Sequence, residues 1–131
     1  MSRTLGQLTE RVAAVFLRLR GLRIVYRNYT CPRGEIDLVA LHQKKNQTPT
    51  LVFVEVRYRS SEQYGSAAAS IDETKQLRLI RSAEYFLNAF KEYANLPMRF
   101  DAVLLTRSVH QLPITWIKDA FNACLLYTSD A

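Results

Sequence analysis

The sequence is poor in the residues that usually announce a function. It has two cysteines in 131 residues, too few for a disulfide framework and in keeping with a reducing compartment. Its two histidines, His42 and His110, can be drawn with Cys31 and Cys124 as a zinc site. No C-x-x-C or H-x-x-x-H pair supports that drawing. Four glycines leave no room for a phosphate-binding loop or a dinucleotide fingerprint, and no serine or cysteine sits in a nucleophile elbow. No apolar run approaches the ~20 residues of a membrane span. The segment Met1 to Leu5 lacks the apolar core of a secretory signal, so the expected location is the cytoplasm and no membrane partner is expected.

What is present is a core and a charge. Hydrophobic residues make up 48% of the chain and charged residues 23%, enough apolar material for a globular domain. Lys and Arg outnumber Asp and Glu by 18 to 12, a net charge of +6 that points weakly to a polyanion such as nucleic acid. The expectation is one domain over residues 1–123. The string from Cys124 to Ala131 reads like a translated sequencing adapter and is set aside as a probable non-native tail.

Periodicity gives the element order. Leu5, Leu8, Val12, Val15, Phe16 and Leu19 recur at three- and four-residue spacing, which predicts a helix over Thr4 to Arg20, stopped by Gly21. A short strand follows over about Arg23 to Asn28. Glu35 to Leu41 and Leu51 to Arg59 alternate as strands joined by a polar hairpin loop. Ser70 and Glu73 form a capping box opening a helix to about Tyr93, with Leu77, Ile80, Ala83, Tyr85 or Glu84, and Leu87 on its apolar stripe. Met98 to Thr106 and Ile114 to Lys118 read as further strands, with a short helix or turn near Phe121. The expected fold class is α/β, ordered α-β-β-β-α-β-β, with a central mixed sheet flanked by helices.

The two central strands carry the chemistry. Alternate side chains of a strand share a face. Ile36, Leu38 and Ala40 then lie on one face of the first strand, with Glu35, Asp37 and Val39 on the other. In the second, Val52, Val54, Val56 and Tyr58 oppose Leu51, Phe53, Glu55, Arg57 and Arg59. Aligning the apolar faces makes Glu35, Asp37, Glu55 and Arg57 converge. Carboxylates on neighbouring strands repel, and a divalent cation would relieve that cost. Solvated pairing of Asp37 and Glu55 with Arg57 and Arg59 explains the pattern about equally well. Arg33, Arg57, Arg59, Lys75 and Arg78 could line a path for phosphates. For Arg78 a solvated helix face serves as well. Arg99 and Asp101 share a strand face and read as a local ion pair.

Several segments together resemble the YraN family. They are Gly34-Glu35-Ile36-Asp37-Leu38-Val39-Ala40, Val52-Phe53-Val54-Glu55-Val56-Arg57-Tyr58-Arg59, Tyr64-Gly65, Lys75, Arg99-Phe100-Asp101 and Trp116-Ile117-Lys118-Asp119-Ala120-Phe121. The resemblance covers the chain to about Asn122. It implies a restriction-endonuclease-like α-β-β-β-α-β core of the PD-(D/E)xK nuclease superfamily, acting on DNA with Mg²⁺ or Mn²⁺. By that resemblance Asp37 is the first acid, Glu55 the second, and Glu10 matches a helix glutamate of resolvase-like members, so Glu10, Asp37 and Glu55 would hold metal. Arg57 stands where lysine is usual. Arginine keeps its proton and makes a poor general base, and Lys75 is the candidate for the missing amine. The implied site is catalytic at Asp37, Glu55, Arg57 and Lys75, with Arg33, Arg57, Arg59, Lys75 and Arg78 on the nucleic acid. A homodimer would suit the resolvase analogy, which needs two cuts. A module that binds nucleic acid without cutting, or a scaffold that kept only the fold, are the rival expectations.

Overall fold

The computed structural model describes residues 3–59, 71–106 and 114–122. The elements are α1 (Arg3–Leu19), β1 (Leu22–Cys31), β2 (Gly34–His42), β3 (Thr50–Arg59), α2 (Glu73–Ala89), a short 3₁₀ turn (Lys91–Tyr93), β4 (Met98–Thr106) and β5 (Ile114–Phe121). Their order matches the expected one. The five strands lie in sequence order in one sheet, antiparallel except for β3 and β4, which run parallel with α2 as the crossover. The last strand runs on to Phe121, so it occupies the place where a terminal helix or turn was expected. The expected tail, Cys124 to Ala131, lies outside the described residues, as do Tyr64, Gly65 and Ser70.

Each face of the sheet carries one helix and one core. On one side Ile36, Val39, Phe53 and Phe100 pack with Leu79, Ile80, Ala83 and Phe86 of α2. On the other, Leu38, Ala40, Val52, Val54 and Val103 pack with Ala13, Ala14 and Leu17 of α1. This is an α/β/α sandwich, the restriction-endonuclease-like arrangement expected.

Three local expectations are corrected. The N-cap of α2 is Asp72, whose carboxylate accepts the backbone N–H of Lys75 at 2.9 Å. The buried stripe of α2 runs through Leu79, Ile80, Ala83 and Phe86, while Tyr85 is exposed. The largest difference is in α1. Its buried face is Thr9, Ala13, Ala14 and Leu17, while Leu8, Val12, Val15 and Leu19 of the expected stripe face outward; Phe16 packs against the core as expected, and the Leu5 side chain is outside those described. Small side chains let the α1 backbone approach the sheet closely, and the bulkier ones are left on the far side.

The end of the sheet where β4 begins is locked by a polar network. Asp101, 1% exposed, accepts from Arg99 Nε (2.9 Å), Arg99 Nη2 (3.1 Å), Trp116 Nε1 (2.9 Å) and the backbone N–H of Asp119 (2.9 Å). Arg99 Nη2 also donates to His42 Nδ1 at 2.9 Å. Burial and the Arg99 cation hold His42 below its ordinary pKa, in keeping with a neutral acceptor. This network occupies His42, one of the zinc candidates, and makes the Arg99–Asp101 pair structural.

Candidate functional site

The alternation of β2 breaks at Asp37. Ile36 belongs to the α2-side core together with Val39 and Leu41, whereas Leu38 and Ala40 belong to the α1 side. Ile36 therefore does not share a face with Leu38 and Ala40, contrary to the strict alternation expected. The pairing partners explain the break. β1 and β2 stay paired to Cys31 and Gly34, but the described β2–β3 pairing stops at Leu38 and Val54. Beyond that point the N–H of Val56 donates to Asp37 Oδ2 at 2.8 Å. A side chain has taken the place of a ladder carbonyl, and a wedge opens between the two strands.

Carboxylates from both layers meet at this wedge. One carboxylate oxygen each from Glu10 of α1, Glu35 and Asp37 of β2 lies within 4.8 Å of the others. Glu55 of β3 shares a hydrogen bond with Asp37. Asn28 of β1 bonds the Glu10 carboxylate and holds a left-handed backbone, φ 52°, an uncommon conformation for a residue within a strand.

The electrostatics are those of anions forced together. Burial, then the charge of Glu55 and the hydrogen bond with it, push the Asp37 carboxyl up to about 9. Glu10 is raised as well, chiefly by burial, against the opposing hydrogen bonds from Asn28 and Asp37. At neutral pH Asp37 thus holds a proton that a cation would displace. Hard oxygen donors in a compact group fit Mg²⁺ or Mn²⁺.

Arg57 is placed beside this group and left underused. Its Nη2 lies 3.1 Å from Glu55 Oε2, yet neither Nη2 nor Nε makes a well-directed hydrogen bond, although both atoms are buried. Buried guanidinium donors without partners are costly, and an anionic oxygen would satisfy them.

Two clefts flank the carboxylates. One, about 160 Å³, is lined by Gly34, Glu35, Glu55, Lys75, Arg78 and Leu79. Gly34 has φ 147°, and a Cβ there would come within 3.3 Å of the Arg78 stem, so glycine is required where the arginine crosses. The other, about 220 Å³, is lined by Gln7, Glu10, Arg11, Arg27 and Asn28. Arg33 lies in a neighbouring depression with Arg81, Glu84, Tyr85 and Asn88. Arg59 ends β3 opposite Thr106, and its side chain is outside those described.

The structure therefore gathers Glu10, Asp37, Glu55, Arg57, Lys75 and Arg78 around one wedge and sets Arg33 apart. Sequence reasoning missed Asn28, Arg27 and Arg11. Arg11 follows Glu10 by one residue, and helix neighbours do not share a face, so adjacency gave no signal for it. Asn28 left only a faint signal, an αL-tolerant residue inside a strand pattern.

The family model described as "Uncharacterised protein family UPF0102" matches residues 9–105. The chain belongs to the UPF0102 family. A UPF0102 protein of Pseudomonas fluorescens is 43% identical over 118 residues, covering 90% of this chain and 92% of its own. A UPF0102 protein of Pseudomonas aeruginosa is 44% identical over 124 residues, covering 93% and 95%. One from Nitrosomonas europaea is 44% identical over 117 residues, covering 89% and 92%. UPF0102 is the family whose YraN-type motifs the sequence carries, and the wedge lies within the matched residues.

Proposed function

We propose that this UPF0102 protein is a Mg²⁺- or Mn²⁺-dependent nuclease acting on DNA in the cytoplasm. One observation carries the reading: four carboxylates are held together at a wedge in the sheet, one pushed to a pKa of about 9, beside Arg57, whose buried Nε and Nη2 make no well-directed hydrogen bond. A structural element gains nothing from that arrangement, whereas a cation and a phosphate would satisfy both halves of it.

Glu10, Asp37 and Glu55 would hold the metal, with Glu35 at the rim. Bound there, the cation would polarise a phosphoryl oxygen and lower the pKa of a coordinated water. The protein's own groups do the rest. With a cation held there, the Asp37 carboxyl would be ionised. Arg57 directs Nε and Nη2 at a phosphate oxygen and stabilises charge as it develops. Lys75 and Arg78 on one side and Arg11 and Arg27 on the other hold the backbone phosphates of the strand. With arginine in place of lysine, Arg57 orients and neutralises and does not accept a proton.

The test is cleavage of branched, single-stranded and duplex DNA with Mg²⁺, with Mn²⁺ and with chelator. Cleavage that needs the cation and disappears in Asp37→Ala and Glu55→Ala is the expected result. Cleavage unchanged in both variants overturns the assignment. Arg57 itself favours a second reading, a nucleic-acid-binding module that does not cut. Salt-dependent DNA binding with no turnover and no metal affinity by calorimetry would establish it.

A further inference from the structure

The outward stripe of α1 is an apolar surface with no partner among the described residues. Leu8 is 55% exposed, Val12 37%, Val15 51% and Leu19 76%; Val12, Val15 and Leu19 line a shallow groove with Phe16, Ile114 and Arg11. A helix apolar on opposite faces is built to be covered on both. The inner face is covered by the sheet.

The pattern of the stripe says what covers the outer one. Leu8, Val12, Val15 and Leu19 are spaced by four, three and four, so the row reads the same in both directions, residue types included. Such a row is complementary to itself when a second copy runs antiparallel, the isologous geometry of a two-fold dimer. Leu8 then meets the partner's Leu19, and Val12 meets the partner's Val15. The exposed parts of the four side chains amount to roughly 400 Å² of apolar surface per copy, the size of the largest patch on many monomers, which is often a functional surface. Pairing two such faces buries roughly 800 Å² of apolar surface, to which a polar rim adds, the scale of a weak and reversible dimer. We infer that this protein pairs with a second copy of itself through the outer face of α1, in antiparallel register about a point between Ala13 and Ala14.

The register has a consequence for the site. Arg11 borders both the apolar groove and the cleft that holds Glu10, Arg27 and Asn28. A two-fold axis perpendicular to the paired helices leaves the Arg11 and Arg18 flank of both copies on the same side. The two wedges then open toward that side, joined by a row of four arginines. The pairing itself stands on the helix face alone; only this use of it rests on the nuclease reading.

Sedimentation equilibrium of the full chain over a wide concentration range tests the pairing without any cleavage assay. A monomer–dimer equilibrium in the micromolar range is expected. Val15→Glu and Leu8→Glu should each weaken it at least tenfold, with circular dichroism and melting of the monomer unchanged. The four arginines repel one another, so the dimer should weaken as salt is lowered and strengthen with a short polyanion. With Cys31 and Cys124 changed to serine, a Leu8→Cys chain should form a disulfide with a Leu19→Cys chain. It should not do so with itself, because those two positions are about 16 Å apart along the helix pair in this register. A chain monomeric at every concentration overturns the inference, including one that instead binds anionic vesicles through the stripe. A dimer indifferent to Val15→Glu, or Leu8→Cys chains that cross-link to each other, overturns it as well.

Discussion

The molecule sets two aspartates into one sheet, Asp101 buried and Asp37 half-buried, and treats them in opposite ways. Asp101 is surrounded by donors: a guanidinium, an indole and a backbone N–H close around it. Asp37 accepts one described backbone hydrogen bond and otherwise faces Glu10, Glu35 and Glu55. Both are short acids in neighbouring parts of one sheet. The first is satisfied and fixes β4 against β5. The second shares its hydrogen bonds with other acids and keeps its proton at neutral pH. Position in the sheet does not separate the two carboxylates; the census of donors around each does.

The sharpest way to break this contrast is to neutralise each aspartate in turn. Asp37→Asn should reduce metal-dependent cleavage by at least about 10³-fold while raising the thermal midpoint of the metal-free protein, because it removes one of the crowded acids. Asp101→Ala should do the reverse, costing about 3 kcal/mol of stability by stranding Arg99 and the Trp116 indole; chemical denaturation measures it. An Asp37→Asn protein that melts lower than the parent would sink the distinction. Next comes Arg57→Ala, expected to slow cleavage by about 10²-fold through loss of an anion donor, with DNA affinity in calcium changed much less.

A pH titration of stability probes the same difference more gently. The Asp37 carboxyl is raised in the folded state, so between its unfolded value near 4 and its folded value near 9 the native chain holds a proton the unfolded one has released. Stability of the metal-free protein should therefore fall as pH rises through that window, and Glu10, raised too, adds in the same direction. Saturating Mg²⁺ should flatten the slope, and calorimetry in buffers of different ionisation enthalpy should detect proton release on binding. A metal-free slope of the opposite sign contradicts the assignment. The smallest effect is Gly34→Ala, expected to cost about 1 kcal/mol and to displace the Arg78 stem, weakening DNA binding several-fold.

Much of this was legible before any coordinates. Alternation in β3 correctly put Glu55 and Arg57 beside Phe53 and opposite Val54. Elsewhere packing overrode pattern. Ranking the α1 positions by hydrophobicity selects Leu8, Val12, Val15 and Leu19, yet the sheet accepts Ala13 and Ala14, because distance of approach decides which face is buried. The wedge was invisible for a related reason. Strict alternation assumes an unbroken ladder, and the residue that breaks it, Asp37, is the one whose chemistry matters. Asn28 went unseen because its contribution is a backbone conformation and a reach across to another element, neither of which has a period.

The wedge also sets a time at which the protein becomes competent. Its carboxylates come from α1, β2 and β3, and the strand that flanks β3 on its other side, β4, follows only after the α2 crossover. Parallel pairing across such a connection is a late and non-local event in folding. A chain emerging from the ribosome with α1, β1 and β2 already made would carry Glu10 and Asp37 but no Glu55, no Arg57 and no cleft under α2. On the nuclease reading, chemistry toward DNA would thus be withheld from every partly made copy.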